Sequence, residues 1–446
     1  MNKTRNLFVS MLVALALALL MAGVVYAATV TVDTFDAGSE NYTVTPGNSG
    51  SSVTPTLCLG GERDTTLNAY SYDVSLRVDQ YNSNRLAIDA SSDATYTATV
   101  TWDGADGDAW ALNRTGLGGM NVVSGTNNSF VLSIVSKDTG QIGLTIRVYT
   151  GTNASAMTLT MPAARVGSGE RVDLVYPFGQ FTTTAGGGAD FTSVGAIQLY
   201  FNGRIATATD IAIDNLEANS AREYGDLPVS IYGTSVLSAC HIPQGMRLGT
   251  NVETESTYQS STNADGDDAT SGRNVDDEDG VAINMDYWPW SPGSGGGELD
   301  ITVTGCGSGN DRCYVHGWID WNGDGDFNDT VDGANEKIIA FTTSSDGTSE
   351  RTFTTPDPFP NGYYYARFRI CRHGGDNGAA CNSPTTEDNN VTNGEVEDYR
   401  WPVGPTAITL SSITARSTPL AIGIGAAALL GLLALGALFV ARRRKA

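Results

Sequence analysis

The chain has 446 residues and carries 49 Asp and Glu against 26 Lys and Arg, a formal net charge of −23. An acidic excess of that size excludes long-range attraction to nucleic acid or to an anionic membrane surface. Only 17% of residues are charged, 41% are hydrophobic and 52 are glycine, which excludes a disordered acidic chain and points to a turn-rich β protein.

Residues 1–27 read as a secretory signal peptide. Lys3 and Arg5 form its basic start, Leu7 to Leu20 its apolar stretch, and Val25-Tyr26-Ala27 places small residues, Val25 and Ala27, at the usual positions before a cleavage site. At the other end residues 420–441 are apolar and are followed by Arg442-Arg443-Arg444-Lys445. A helix over that stretch spans roughly 33 Å, enough for a hydrocarbon core of about 30 Å. Its basic tail, 442–446, stays on the cytoplasmic side. The two ends agree on an exported chain displayed at the cell surface, with 404–419 as a linker to a C-terminal transmembrane anchor.

Between the ends the chain divides into two all-β domains in tandem, 28–219 and 220–403, each expected to be a jelly-roll-like sandwich. Acidity is uneven: the first has 19 acids and 9 bases, the second 30 acids and 10 bases. In the first, Ala94, Tyr96, Ala98, Val100 and Trp102 alternate with threonine. Ile142 to Val148, Ile197 to Phe201 and Ile211 to Ile213 repeat that period of two. Strands with one buried and one solvated face, broken by Gly, Asn and Asp turns, predict an antiparallel sandwich. This architecture, with Trp102-Asp103-Gly104-Ala105-Asp106-Gly107-Asp108 and Asp214-Asn215-Leu216-Glu217, resembles the jelly-roll modules of secreted bacterial proteins, many of them sugar-binding. Asp103, Asp106 and Asp108 either hold a calcium ion or cap their own turn. Trp102 and Trp110 either stack on a sugar or belong to the core.

The second domain opens with Glu223-Tyr224-Gly225-Asp226-Leu227-Pro228 and continues through Asp276-Asp277-Glu278-Asp279-Gly280-Val281. Asp320-Trp321-Asn322-Gly323-Asp324-Gly325-Asp326-Phe327 lies at its centre, and Gly394-Glu395-Val396-Glu397-Asp398-Tyr399 closes it. That succession resembles the GEVED domain of bacterial secreted and surface proteins, which implies a β-rich extracellular module and no known reaction. Asp320, Asn322 and Asp324 stand at alternate positions before Gly325, like the first half of a calcium loop. Asp326 and Asn328 extend the alternation, and Glu336 is the nearest candidate for a bidentate ligand, since Val331 occupies the twelfth position. A second acidic group, Asp265, Asp267, Asp276, Asp277 and Asp279, either takes further calcium or is a solvated loop. Glu395 and Glu397 share a strand face, so they either complete a cation site from across the fold or pair with Arg367 and Arg369, the salt bridges being the expectation.

Six cysteines allow 15 pairings. The local pairs Cys306–Cys313 and Cys371–Cys381 are the expected bridges, while Cys58 and Cys240 either join the domains or remain thiols. His241, His316 and His373 lack metal-ligand spacing and read as structural. The chain contains no Gly-x-Ser-x-Gly, His-Glu-x-x-His or phosphate-binding Gly-Lys-Ser/Thr, and no catalytic residue is assigned. The expected function is that of a membrane-anchored, calcium-stabilised surface protein in adhesion, glycan contact or envelope assembly. Its partner would be a carbohydrate or another surface macromolecule. The alternatives are a glycoside hydrolase working with two carboxylates, which needs no histidine, and a purely structural envelope subunit.

Overall fold

A computed structural model of the chain describes residues 29–403 except 79–83, 126, 221, 235–238, 256, 267–275, 360–361, 375–380 and 386–390. The signal, linker, anchor and basic-tail segments therefore lie outside the described residues, as does Asp267. Among the described residues no helix is long and apolar enough to cross a membrane.

The first half contains β1 (Val30–Asp33), β2 (Glu40–Val44), β3 (Ser49–Pro55), β4 (Glu62–Ser71), β5 (Val74–Val78), β6 (Leu86–Ala90) and β7 (Thr95–Trp102). It continues with β8 (Ser129–Lys137), β9 (Ile142–Thr150), β10 (Asn153–Met161), β11 (Val172–Pro177), β12 (Thr182–Ala185), β13 (Ala196–Gly203) and β14 (Ile211–Asn219). One sheet runs β11-β8-β14-β6-β5-β2, with β1 also on β14, and the other runs β12-β10-β9-β13-β7-β4-β3. Their facing side chains form one core. Tyr96, Val100, Trp102, Leu144, Ile146, Leu199 and Phe201 from one sheet meet Leu76, Ile88, Leu132, Ile213 and Leu216 from the other, all fully buried. The alternating positions seen in the sequence are thus the inward-facing set. Trp102 belongs to this core, whereas Trp110 is exposed.

The second half contains β15 (Glu223–Tyr224), β16 (Cys240–His241), β17 (Arg247–Leu248), β18 (Val281–Ile283), β19 (Gly293–Thr304) and β20 (Cys313–Ile319). The remaining strands are β21 (Thr330–Val331), β22 (Ala334–Asn335), β23 (Lys337–Thr343), β24 (Gly347–Thr355), β25 (Gly362–Arg372) and β26 (Gly394–Val403). A sheet of β17-β19-β18, with β24 on the other side of β19, faces a sheet ordered β23-β20-β25-β26. Leu299, Ile301 and Phe353 pack against Val315, Phe368, Ile370 and Trp401 between them. Trp290 sits within ring contact of Trp321, Phe353 and Trp401, so the Trp288-Pro289-Trp290 stretch is mainly core material. The opposite face of β20 and β25 is covered as well, by Leu227 and Tyr232 against Trp318, Phe327 and Tyr365. Disulfides join Cys306 to Cys313 and Cys371 to Cys381, while Cys58 and Cys240 are not disulfide-bonded.

The two sandwiches are tied together by backbone and charge. Val172 forms a parallel bridge with Val252, and the Val175 N–H donates to the Pro243 carbonyl at 2.9 Å. Buried Arg171 reaches Asp173 at 2.9 Å, Asp214 at 3.2 Å and Glu253 at 3.5 Å. Both sandwiches fall within one compact unit.

Candidate functional site

The closing motif works from the inside. The register pairs Arg367 with Asp398, Phe368 with Glu397 and Ile370 with Glu395. Directly opposed residues share a face, so Asp398 meets Arg367 while Glu395 and Glu397 point towards the core side; Arg369 instead donates to His241 Nε2 at 3.1 Å and to the Ser383 carbonyl at 2.7 Å. The expected pairing of Glu395 and Glu397 with Arg367 and Arg369 is therefore corrected: the partner is Asp398, which takes Arg367 Nε and Nη2 at 2.7 Å each and the Leu227 N–H at 3.0 Å. Glu395 accepts from the Leu248 N–H at 2.5 Å, and Glu397 from the Gly280 N–H at 2.8 Å and the Tyr399 hydroxyl at 2.9 Å. Burial pushes both glutamates well above the usual carboxylate range, and acidic neighbours push further. Each carboxylate of the motif thus holds a backbone amide of another segment: Leu248 in β17, Gly280 just before β18, and Leu227 in the stretch after β15.

The acidic group at 276–279 does similar work. Asp279 accepts the Thr250 N–H at 2.8 Å and the Asn251 side-chain amide at 3.0 Å, and Asp277 accepts the Glu253 N–H at 3.0 Å. Burial raises Asp279 to about 6. The Asp276 carbonyl accepts from Asn251 at 2.9 Å, and Asp265 lies elsewhere, bonded to the Ser261 hydroxyl at 2.7 Å.

The loop between β20 and β23 separates its carboxylates into two sets. Asp320 is buried and accepts the Gly323 and Gly325 N–H groups and the Tyr232 hydroxyl, at 2.6, 3.2 and 2.8 Å. Glu336, fully buried, accepts the Trp321 N–H at 3.1 Å and the Asp329 N–H at 3.0 Å, and burial raises it to about 7. These two brace the loop from below. On its outer side Asp324, Asp326 and Asp329 bring carboxylate oxygens within 4.8 Å of one another, with Asp324 and Asp326 exposed. Asn322 donates to Asp324 at 3.1 Å and to Asp329 at 2.9 Å, while the Asn328 N–H caps Asp326 at 3.0 Å. Asp329 is the residue that alternation passes over, because it follows Asn328 out of phase.

In the first sandwich the acidic loop after β7 meets β4. Asp106 joins Glu62 and Asp64, each offering an oxygen within 4.8 Å of the others, and Asp103 adjoins Asp64. Burial, then the acidic neighbours led by Asp103, raises Asp64 to about 8. Asp108 instead accepts the Trp110 N–H at 3.0 Å, the turn-capping arrangement.

The same sheet presents a polar outward face. Arg147 stacks over Tyr200, Arg204 over Tyr70 and Arg114 over Tyr149, at 4.3, 4.5 and 4.9 Å to the ring centres. Gln198 links this stripe, accepting from the Tyr149 hydroxyl at 2.8 Å and donating to the Thr101 hydroxyl at 3.1 Å. A shallow depression lined by Tyr200, Asn202, Arg204 and Ile205 opens at one end. No carboxylate pairs with these three arginines among the described residues, although the chain is strongly acidic.

Residues 314–401 match the family model of the GEVED domain. The GEVED match thus begins within β20 and takes in the calcium-like loop, Arg367, Arg369 and the closing motif, a narrower stretch than the 220–403 expected from the motifs. No curated protein matches the chain. Among solved structures, the chain is similar to the Family 11 Carbohydrate-Binding Module of cellulosomal cellulase Lic26A-Cel5E of Clostridium thermocellum, with 10% identity, 43% of this chain and 94% of that one covered, and a TM-score of 0.22. It is also similar to the agarase AgWH50C (10% identity, 43% and 26% covered, TM-score 0.25). A third is a beta-1,2-glucanase from Parabacteroides distasonis (8% identity, 85% and 39% covered, TM-score 0.21). With TM-scores of 0.21 to 0.25, none of the three bears on what this chain binds.

Proposed function

We propose that the chain is an exported surface protein whose first sandwich contacts an acidic glycan, with the GEVED half as a rigid scaffold. The observation that carries this is exposed Tyr70 and half-buried Tyr200, with buried Tyr149 at the far end of the stripe, each capped by an arginine that pairs with no carboxylate among the described residues. Aromatic rings supply area for sugar faces, while guanidinium groups match carboxylates or sulfates in geometry and charge. Two disulfides support export to an oxidising compartment. The terminal segments 1–27 and 420–441 support secretion and anchoring. In the same reading Asp324, Asp326 and Asp329 hold calcium on the outer side of the GEVED loop, because hard oxygen donors suit that ion. The closing-motif carboxylates are engaged with backbone amides and an arginine, which favours scaffold over glycoside hydrolase.

The test is affinity electrophoresis of the full chain against uronate-bearing, sulfated and neutral polysaccharides. Retardation by an anionic polysaccharide that weakens with salt and falls at least tenfold in R147A/Y200A is the expected result. Equal mobility in all gels would remove the glycan reading.

A further inference from the structure

The four carboxylates where β4 meets the loop after β7 form a cluster with no base in it. Glu62 and Asp64 come from one strand and Asp103 and Asp106 from the loop. Asp64 is 2% exposed and Asp103 1%, and one carboxylate oxygen of each, Oδ1, has no hydrogen-bond donor. Asp64 also offers a carboxylate oxygen within 4.8 Å of one from Glu62 and one from Asp106. The adjacent arginine does not help: Arg63 turns to the opposite face, where it pairs with Asp33 at 3.0 Å and Glu40 at 2.7 Å.

The surroundings hold these oxygens in place. Glu62 accepts the Asp106 and Gly107 N–H groups at 3.0 and 2.8 Å, which draws the loop down onto β4. The other Asp103 oxygen accepts the Asn113 N–H at 2.6 Å, and Asp106 accepts the Asp108 N–H at 3.0 Å. Backbone amides thus orient three of the four carboxylates from behind, as outer-shell donors do around a bound ion. Gly104 and Gly116 let the loop fold this tightly, since a Cβ on Gly116 would lie 1.6 Å from the Asp103 carbonyl oxygen.

We infer that Glu62, Asp64, Asp103 and Asp106 bind a calcium-class divalent cation in the first sandwich. Several carboxylates converging with free oxygens, none softer than oxygen, select a hard ion that tolerates irregular geometry. The ion ties the loop to β4, and that loop also carries Arg114, which stacks on Tyr149 at one end of the stripe. This ligand set differs from the loop-only one expected from sequence: Glu62 and Asp64 enter and Asp108 leaves.

The experiment is isothermal titration of the full chain with calcium, comparing wild type with D64N, D106N and the loop variant D324A/D329A. The chain carrying D64N is expected to bind one calcium fewer than wild type and to melt no lower than wild type in chelator, because a buried like charge has been removed. Exposed Asp106 tolerates its amide, and D106N is expected to weaken that same ion at least tenfold. The D324A/D329A chain is expected to keep it. An unchanged calcium count in both D64N and D106N would overturn the inference and leave the carboxyl cluster to share a proton.

Discussion

Replacing Asp398 by asparagine probes the logic of the second sandwich most directly. The substitution conserves shape, so the new amide oxygen still accepts the Leu227 N–H, which now lies 3.0 Å away. What is lost is charge opposite Arg367, a pair in which both side chains are fully buried. Leaving one partner of a buried ion pair uncompensated costs about 3–5 kcal/mol. Unfolding the second sandwich, on the order of 180 residues, carries an entropy near 0.4 kcal/mol per kelvin, so the melting temperature should fall by about 10 °C. Chemical denaturation and thermal melts of D398N measure this loss. The double variant R367M/D398L removes both charges and is expected to recover most of it, since matched apolar replacement of a buried pair is close to neutral. A loss below about 1 kcal/mol in D398N, or a double variant as unstable as the single, would refute the reasoning.

Calcium in excess should raise the melting temperature of the full chain, by a stabilisation of about 2.7 kcal/mol at one hundred times Kd for one site. A D324A variant should lose the part of that gain due to the GEVED loop, and an unchanged gain takes the loop out of the account. His241 and His316 are held neutral, the first well below its usual range by burial and the Arg369 and Arg367 charges, the second lowered to about 3 by burial and Lys337. As pH falls from about 6.5 towards 3 the unfolded chain gains protons that these folded histidines refuse, so stability is lost on acidification, by at most about 1.4 kcal/mol per pH unit for each. Denaturation curves of H316Q across that window should show a shallower slope; an identical slope would contradict the assignment. Reduction of the disulfides closing separations of 7 and 10 residues should destabilise the second sandwich. The chain-entropy estimate is roughly 2.5–3 kcal/mol for each bridge, read from denaturation with and without reductant.

Much of the strand layout was legible because alternation is local. Ala94 to Trp102, Ile142 to Val148 and Ile197 to Phe201 declare their inward faces residue by residue, and all of the apolar ones are buried. The two short-range disulfides were legible for the same reason. What sequence order conceals is register. Whether Arg367 meets Glu397 or Asp398 depends on a one-residue alignment of β25 with β26, and such a slip exchanges faces. The cation cluster was half visible: Asp103 and Asp106 sit in a marked turn, but Glu62 and Asp64 open an all-polar stretch of β4 with no pattern of their own. Asp64 becomes informative only once β4 is paired with β7, which places it opposite Thr101 and beside Asp103. The opening motif makes sense in the same way. A Cβ on Gly225 would sit 2.4 Å from an Asp398 oxygen, so the two motifs, far apart in sequence, are one close contact.

The position of β26 has a mechanical consequence. It is the last described strand and lies at the edge of its sheet, bonded to β25 over an unbroken run of ten registered pairs from Gly362–Val403 to Cys371–Gly394. A load drawn along the strand from its C-terminal end does not peel these pairs apart singly; it shears them together. The buried Arg367–Asp398 clasp lies in the middle of that run, and the amides gripped by Glu395 and Glu397 lie further in. The strand that leads out of the fold is thereby also the one best placed to resist being drawn out of it.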